Sequence, residues 1–405
     1  MASQQNIDLT QLMYVAYYGR PGDQAGIDYW AGVFDGSSNL DQALAAFGTS
    51  PEFLSGFGNL STEALIDGLY QQLFNRDADQ AGRAWYADLI TSGQSTLARI
   101  AMDIALGAKG DDQTIVENKV FIANEFNAQG AVFGFDYQSD DIPAARKLLQ
   151  TVSEGSQSVT LAEQYLEQVL SNTDTPISIH FSDTSGVMGQ YQSQIEAAIQ
   201  AAWAEWDQYL LGHKDARIEI NVVSMNSTTD LALGKSVDAT TIDETFNGKK
   251  VVQNLVGYEL LHGADENGSS YDGQITLSTY YLNQPGYYDF ATDGTVANGK
   301  FSFQMVMTHE IGHMLGFSAL LTSSTYTTTY QTQVTAQNAF LGAYSSAVYG
   351  GAIPLDQDVV HLSESAFNDY LMSPEPERGQ DSTISTLELA MAKDIGLPVL
   401  DLWLA

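Results

Sequence analysis

The run Thr308-His309-Glu310-Ile311-Gly312-His313-Met314-Leu315-Gly316 holds two histidines four residues apart, with a carboxylate beside the first. On a helix, positions i and i+4 share one face, so both imidazoles can meet one metal ion. Glu310 is one residue further round, placed to take a proton from a water polarised by that metal. Met305, Val306, Met307, Ile311 and Leu315 give the stretch the apolar character of a helix packed into a core. The plainer alternative is two ordinary helix histidines, and it leaves Glu310 without a task. Gly316 suits a helix end that turns the chain through a left-handed conformation.

The chain has no cysteine, so a metal site must draw on His, Asp or Glu, and disulfides are excluded. Four further histidines are available. His180 lies in an alternating stretch, His213 ends a helical pattern, and His262 borders a Gly/Asp-rich loop. His361 differs because it leads into the run Leu362-Ser363-Glu364-Ser365-Ala366-Phe367-Asn368-Asp369-Tyr370-Leu371-Met372-Ser373-Pro374.

His-Glu-x-x-His-x-x-Gly resembles the signature of the metzincin metalloproteases. In its compact form the third ligand stands three residues after the glycine. Here that residue is Ala319, which has no metal-binding group, so the site is either broken or completed from elsewhere. The segment from His361 to Met372 resembles the leishmanolysin branch, in which an insertion precedes the third histidine and a Met-containing turn comes after it. Phe340-Leu341-Gly342-Ala343, Tyr349-Gly350-Gly351 and Ile353-Pro354-Leu355 are similar to that branch too. Ser385 to Gly396 looks like its closing helix, with Ser385 and Glu388 at capping-box spacing. The resemblance spans roughly residues 174–400. It implies zinc held by His309, His313 and His361, Glu310 as general base, Met372 as a floor beneath the metal, and hydrolysis of protein or peptide substrates. It also implies an edge strand that pairs with extended substrate; residues 274–282, with Gln274, Ile275, Thr276 and Leu277, are the candidate. Tyr370 departs from the pattern, since an acidic residue is common there.

The elements around these residues indicate an all-helical N-terminal part followed by a layered α/β or α+β part; the resemblance implies that this second part is metzincin-like, so the chain as a whole reads as α+β. Ile177-Ser178-Ile179-His180-Phe181 and residues 217–223 alternate as strands, and residues 273–282 read as a third. Residues 191–210 form an amphipathic helix pattern with Ile195, Ile199, Ala202, Trp203, Trp206 and Leu210 on one face. Domain boundaries fall at 1–170, a linker at 171–176, and 177–405.

The first part contains a repeat. Tyr18-Gly19-Arg20-Pro21-Gly22-Asp23-Gln24-Ala25-Gly26 returns as Phe74-Asn75-Arg76-Asp77-Ala78-Asp79-Gln80-Ala81-Gly82. Asp23 and Asp79 stand at helix N-cap positions, and the pairs Tyr29-Trp30 and Trp85-Tyr86 read as core anchors. Helical patterning continues over 114–127, 143–152 and 160–170. Residues 8–170 resemble a helical repeat domain of large bacterial secreted and surface proteins, often found beside calcium-binding repeats, which implies attachment to a cell-surface or matrix partner.

With 16 basic and 50 acidic residues, the net charge of −34 opposes nucleic acid and anionic membranes. No apolar run is long enough for a membrane span. Asp265, Asn267 and Asp272 form an oxygen-rich, turn-forming stretch suited to calcium, although EF-hand spacing is absent; Asp289, Asp293 and residues 356–358 are weaker cation candidates. The first residues carry no Sec-type signal. The ending Asp401-Leu402-Trp403-Leu404-Ala405 resembles signals of type I exporters, so an extracellular or cell-surface location is expected. The competing function is a non-catalytic surface or matrix binding protein that keeps the metal fold as a scaffold.

Overall fold

A computed structural model describes all residues except 1, 37–39, 172, 173, 214, 269, 319–322 and 405. The chain divides into two compact units, residues 1–171 and 172–404. The first is built of helices and the second mixes sheets with helices, as the α+β reading expects.

In the first unit the repeat is a structural one. Gly19 and Asn75 both end a helix in the left-handed conformation, with φ of 66° and 58°. The next residue in each copy, an arginine, folds back over a tyrosine of that helix, Arg20 over Tyr14 and Arg76 over Tyr70. Each arginine also pairs with a distant carboxylate, Glu52 or Asp112. Asp23 and Asp79 accept the Gly26 and Gly82 N–H groups and so cap the next helices. The aromatic pairs correct the sequence reading: only one member of each faces inward. Tyr29 and Trp85 are 60% and 63% exposed, whereas Trp30 packs on Phe47 and the Tyr86 hydroxyl lies against Gly107. Adjacent residues on a helix point about 100° apart, so both cannot reach one core. The patterned stretches 114–127, 143–152 and 160–170 lie within the helices Asp111–Phe133, Ile142–Gln150 and Ser156–Ser171, apart from two residues at the end of the second.

In the second unit the described strands include β1 (Ile177–Ser182), β2 (Ile218–Met225), β3 (Ala232–Ser236), β4 (Ala239–Phe246), β5 (Lys249–Asn254) and β6 (Gly273–Ser278). The main sheet has the order β1-β2-β6-β3. β1, β2 and β6 are parallel, and β3 runs antiparallel at the edge. β4 and β5 form a hairpin through Asn247 and Gly248, both at positive φ, the geometry an Asn-Gly turn adopts readily.

The helices Gln192–Asp207 and Phe303–Leu315 meet in a core where Ile199, Trp206, Ile220, Ile275 and Ile311 are fully buried. The stretch 273–282 is strand only to Ser278; a short helix, Thr279–Leu282, comes next. The Ser278 and Thr279 hydroxyls donate to the Ser227 and Met225 carbonyls and turn the chain there. Of the segment 171–176, Asn172 and Thr173 lie outside the described residues. Thr175 is held: its N–H donates to Asp207 and its carbonyl accepts from the Trp203 indole. Asp401–Leu404 is a short 3-10 helix whose Leu402 is fully buried and whose Trp403 packs edge-on to Tyr209.

Candidate metal centre

The histidine pair lies on the helix Phe303–Leu315, which starts with the Ser302 hydroxyl accepting the Met305 N–H. It ends at Gly316, where φ is 131° and a Cβ would collide with the Asn254 amide. The helix is held from three sides. Behind it, the Trp206 indole donates to the Thr308 carbonyl at 2.8 Å, and Thr308 donates to Glu205. Below it, Gly312 faces Met372: a Cβ at Gly312 would lie 2.7 Å from the Met372 sulfur. On the third side β3 runs so close that a Cβ at Gly234 would lie 1.9 Å from the Glu310 carbonyl oxygen. Glycine is therefore required at Gly234, where the obstacle is backbone, whereas a side chain at Gly312 would have to displace the end of Met372.

His309 and His313 present their Nε2 atoms 3.0 Å apart. His361, beyond the long insertion, brings its Nε2 to 3.1 Å from His313 and 3.3 Å from His309. Each ring is fixed through its other nitrogen. His309 Nδ1 meets the Leu371 carbonyl at 2.7 Å, His313 Nδ1 the Phe317 carbonyl at 2.6 Å, and His361 Nδ1 the Asp358 carboxylate at 2.6 Å. A carbonyl or carboxylate partner requires a proton on Nδ1, so in the neutral ring Nε2 is the bare lone pair. Three such lone pairs converge on one point. A tetrahedral zinc with bonds of 2.0–2.1 Å would space its ligand nitrogens by about 3.3 Å, so the donor set fits that ion. Burial, reinforced by the neighbouring histidines, lowers the pKa of His313 to about 4 and that of His309 well below the ordinary value. Both rings are neutral near pH 7, the form that binds metal.

Glu310 lines the same cleft, a cavity of about 580 Å³ that also touches Asp230, Gly234 and the three histidines. Burial raises its carboxyl to about 8; the Gly234 N–H donated to Oε2 opposes this, and Asp230 reinforces it. Met372 is fully buried, and its N–H donates to Glu388 Oε1 at 2.7 Å. The other oxygen of Glu388 takes the Ser385 N–H and hydroxyl, which completes the capping box. The turn beneath the histidines is thus tied to the helix Thr386–Asp394.

The candidate substrate strand needs correction. Gln274, Ile275, Thr276 and Leu277 lie on β6, which is paired on both sides, with Asn221 to Ser224 and with Lys235 to Ala232. β3 stands between β6 and the cleft, and Leu231 to Gly234 line it. The alternation of residues 273–278 marks a buried strand and says nothing of its place in the sheet. Asp358 is the residue whose role the sequence reading missed. It stands there as a weak cation candidate, yet it orients His361; its place three residues before that histidine is the one local signal. Ala319 lies outside the described residues. His180 pairs with Glu219 and His213 with Asp215, and neither joins the cluster. Asp265 and Asp272 do come together, with Glu259 as a third carboxylate, and Asn267 donates to Asp272.

Against known families, a profile described as a domain of unknown function (DUF4214) matches residues 44–108, within the helical unit, and no metzincin profile matches. Neither the curated proteins nor the solved structures contain a significant match. No helix among the described residues is long and apolar enough to cross a membrane.

Proposed function

We propose that residues 172–404 form a zinc-dependent endopeptidase. The observation that carries this reading is the convergence of three Nε2 lone pairs beside a buried carboxylate in an open cleft. Bound there, zinc supplies a Lewis acid for a substrate carbonyl and acidifies water. Glu310 is the proton carrier. It takes a proton from the attacking water and delivers it to the leaving amine nitrogen, a task for which a carboxylate facing the same cleft as the histidines is placed. Asp358 and the Leu371 and Phe317 carbonyls hold the imidazoles in the tautomer that faces inward. β3 replaces β6 as the strand along which an extended peptide lies, because it is the sheet edge lining the cleft. A scaffold with no catalytic role would not need Glu310 aimed into the same space. Purified full-length protein is expected to hold one zinc and to cleave casein. Chelation should abolish cleavage and zinc should restore it; a zinc-loaded chain that leaves casein intact defeats the reading.

The helical unit, on this reading, attaches the enzyme to a cell surface or matrix, and the chain is exported with residues 401–405 as its address. That residues 401–404 also pack in the fold is compatible with export, because a type I exporter passes an unfolded chain. Secretion of the chain lacking residues 401–405 at the full-length level would remove the address. Equal retention on producing cells with and without residues 1–171 would remove the attachment.

A further inference from the structure

Away from the histidines, the end of the helix Leu255–His262 and the loop leading into β6 gather a second set of donors, all oxygen. Glu259 is 1% exposed. Its Oε1 accepts the Arg217 N–H at 2.9 Å, while its Oε2 is buried and has no hydrogen-bond partner. Asp272 is 2% exposed; its Oδ2 accepts the Glu219 N–H at 2.8 Å and its Oδ1 the Asn267 amide at 3.1 Å. The exposed Asp265 reaches the same place, and one oxygen from each of the three carboxylates lies within 4.8 Å of the others. Asn267, whose side-chain nitrogen donates to Asp272, has its side-chain oxygen buried as well, again without a partner.

A buried carboxylate oxygen that meets neither proton nor cation is strongly disfavoured, and two more carboxylates beside it add repulsion. Burial first, then Asp272 and Asp265, push the Glu259 carboxyl up to about 7, although Arg217 pulls the other way. The Asp272 carboxyl is raised too, mainly by burial. These groups would be relieved by a cation between them.

We infer that Glu259, Asp265, Asp272 and the Asn267 side-chain oxygen bind a calcium ion. An all-oxygen donor set favours a hard cation over zinc. Calcium accepts irregular geometry and completes its shell with water or carbonyls, whereas magnesium demands a near-octahedral cage. The sequence marks the loop residues; Glu259 comes from the preceding helix and supplies the buried end of the site. Through the N–H groups of Arg217 and Glu219, the same carboxylates grip the start of β2, so calcium would clamp loop, helix and sheet together. Calcium binding here is independent of peptide hydrolysis.

The test uses the full chain, stripped on a chelating resin and given back one equivalent of zinc. Calcium binding is followed by equilibrium dialysis, and unfolding by scanning calorimetry in calcium or in magnesium at equal ionic strength. Calcium at a hundred times its Kd should raise the unfolding midpoint of the mixed unit by roughly 5–10 °C, and magnesium should do far less. Asp265→Ala changes an exposed residue and should leave the fold intact while weakening calcium at least about tenfold; Glu259→Gln should weaken it in the same way. Calcium binding unchanged in Asp265→Ala, or equal stabilisation by magnesium, would overturn the site.

Discussion

Each unit of the molecule buries ionisable groups, and it does so differently. In the helical unit Lys119 is fully buried, and its ammonium donates to the Gln72 carbonyl and the Asn75 side chain, both at 2.8 Å. In the mixed unit three imidazoles turn lone pairs toward one another and Glu310 faces a cleft. Lys119 has satisfied partners and closes a core, joining the helix Asp111–Phe133 to the repeat's turn at Asn75. The histidines have satisfied outer nitrogens and frustrated inner ones. Burial alone therefore does not mark a functional group. The distinguishing feature is a donor set that the protein itself leaves incomplete.

The widest break in this comparison should come from Glu310→Gln. It keeps shape and metal content but removes the proton carrier, so peptide hydrolysis should fall on the order of 10²–10⁴-fold. Lys119→Met should leave hydrolysis unchanged. A zinc-loaded Glu310→Gln enzyme with undiminished turnover would put Glu310 in the same class as Lys119. A smaller effect is expected at the outer nitrogens. Asp358→Asn loosens His361 without removing a ligand and should weaken zinc about 10–100-fold, measured by competition with a chromogenic chelator; unchanged affinity would show that the orientation of His361 is set elsewhere.

The smallest effect is in the pH dependence of stability. Lys119 has its pKa lowered to about 7 by burial. Above that pH the unfolded chain holds a proton that the folded one lacks, so this group makes the helical unit more stable as pH rises from 7 toward 10. Asp207 in the mixed unit behaves oppositely. Burial raises its carboxyl to about 7, so its contribution is present in acid and is lost as pH rises from about 4 to 7. Calorimetry should show the helical transition climbing by a few degrees between pH 7 and 9.5 in the wild type and flat in Lys119→Met. A climb that survives the substitution would assign it to another group.

Much of the site was legible in the sequence because its core is local. The period of residues 303–315 marks a helix that runs Phe303–Leu315, and the capping box at Ser385 and Glu388 forms as its spacing implies. Alternation marks residues 177–181, and the strand is Ile177–Ser182. Residues 232–254 were not legible in this way. β4 has mostly exposed positions and offers no apolar face to detect, although Asn247-Gly248 carries a turn signal. The edge position of β3 and the bond from Asp358 to His361 depend on how distant segments meet, which no window of residues records. The same holds for Glu259, whose unpartnered oxygen is visible only beside Asp272.

Glu388 binds the turn under the histidines to the penultimate helix, and this gives the site a place in time. His309, His313, His361 and the Glu388 brace are made in that order, so the cluster cannot settle until Glu388 has been made. Between synthesis of Ser171 and of Glu388 roughly 10–40 s pass at about 5–20 residues per second. Throughout that interval the histidine trio still lacks its third member or its support, so the centre stays unassembled while these residues are being made.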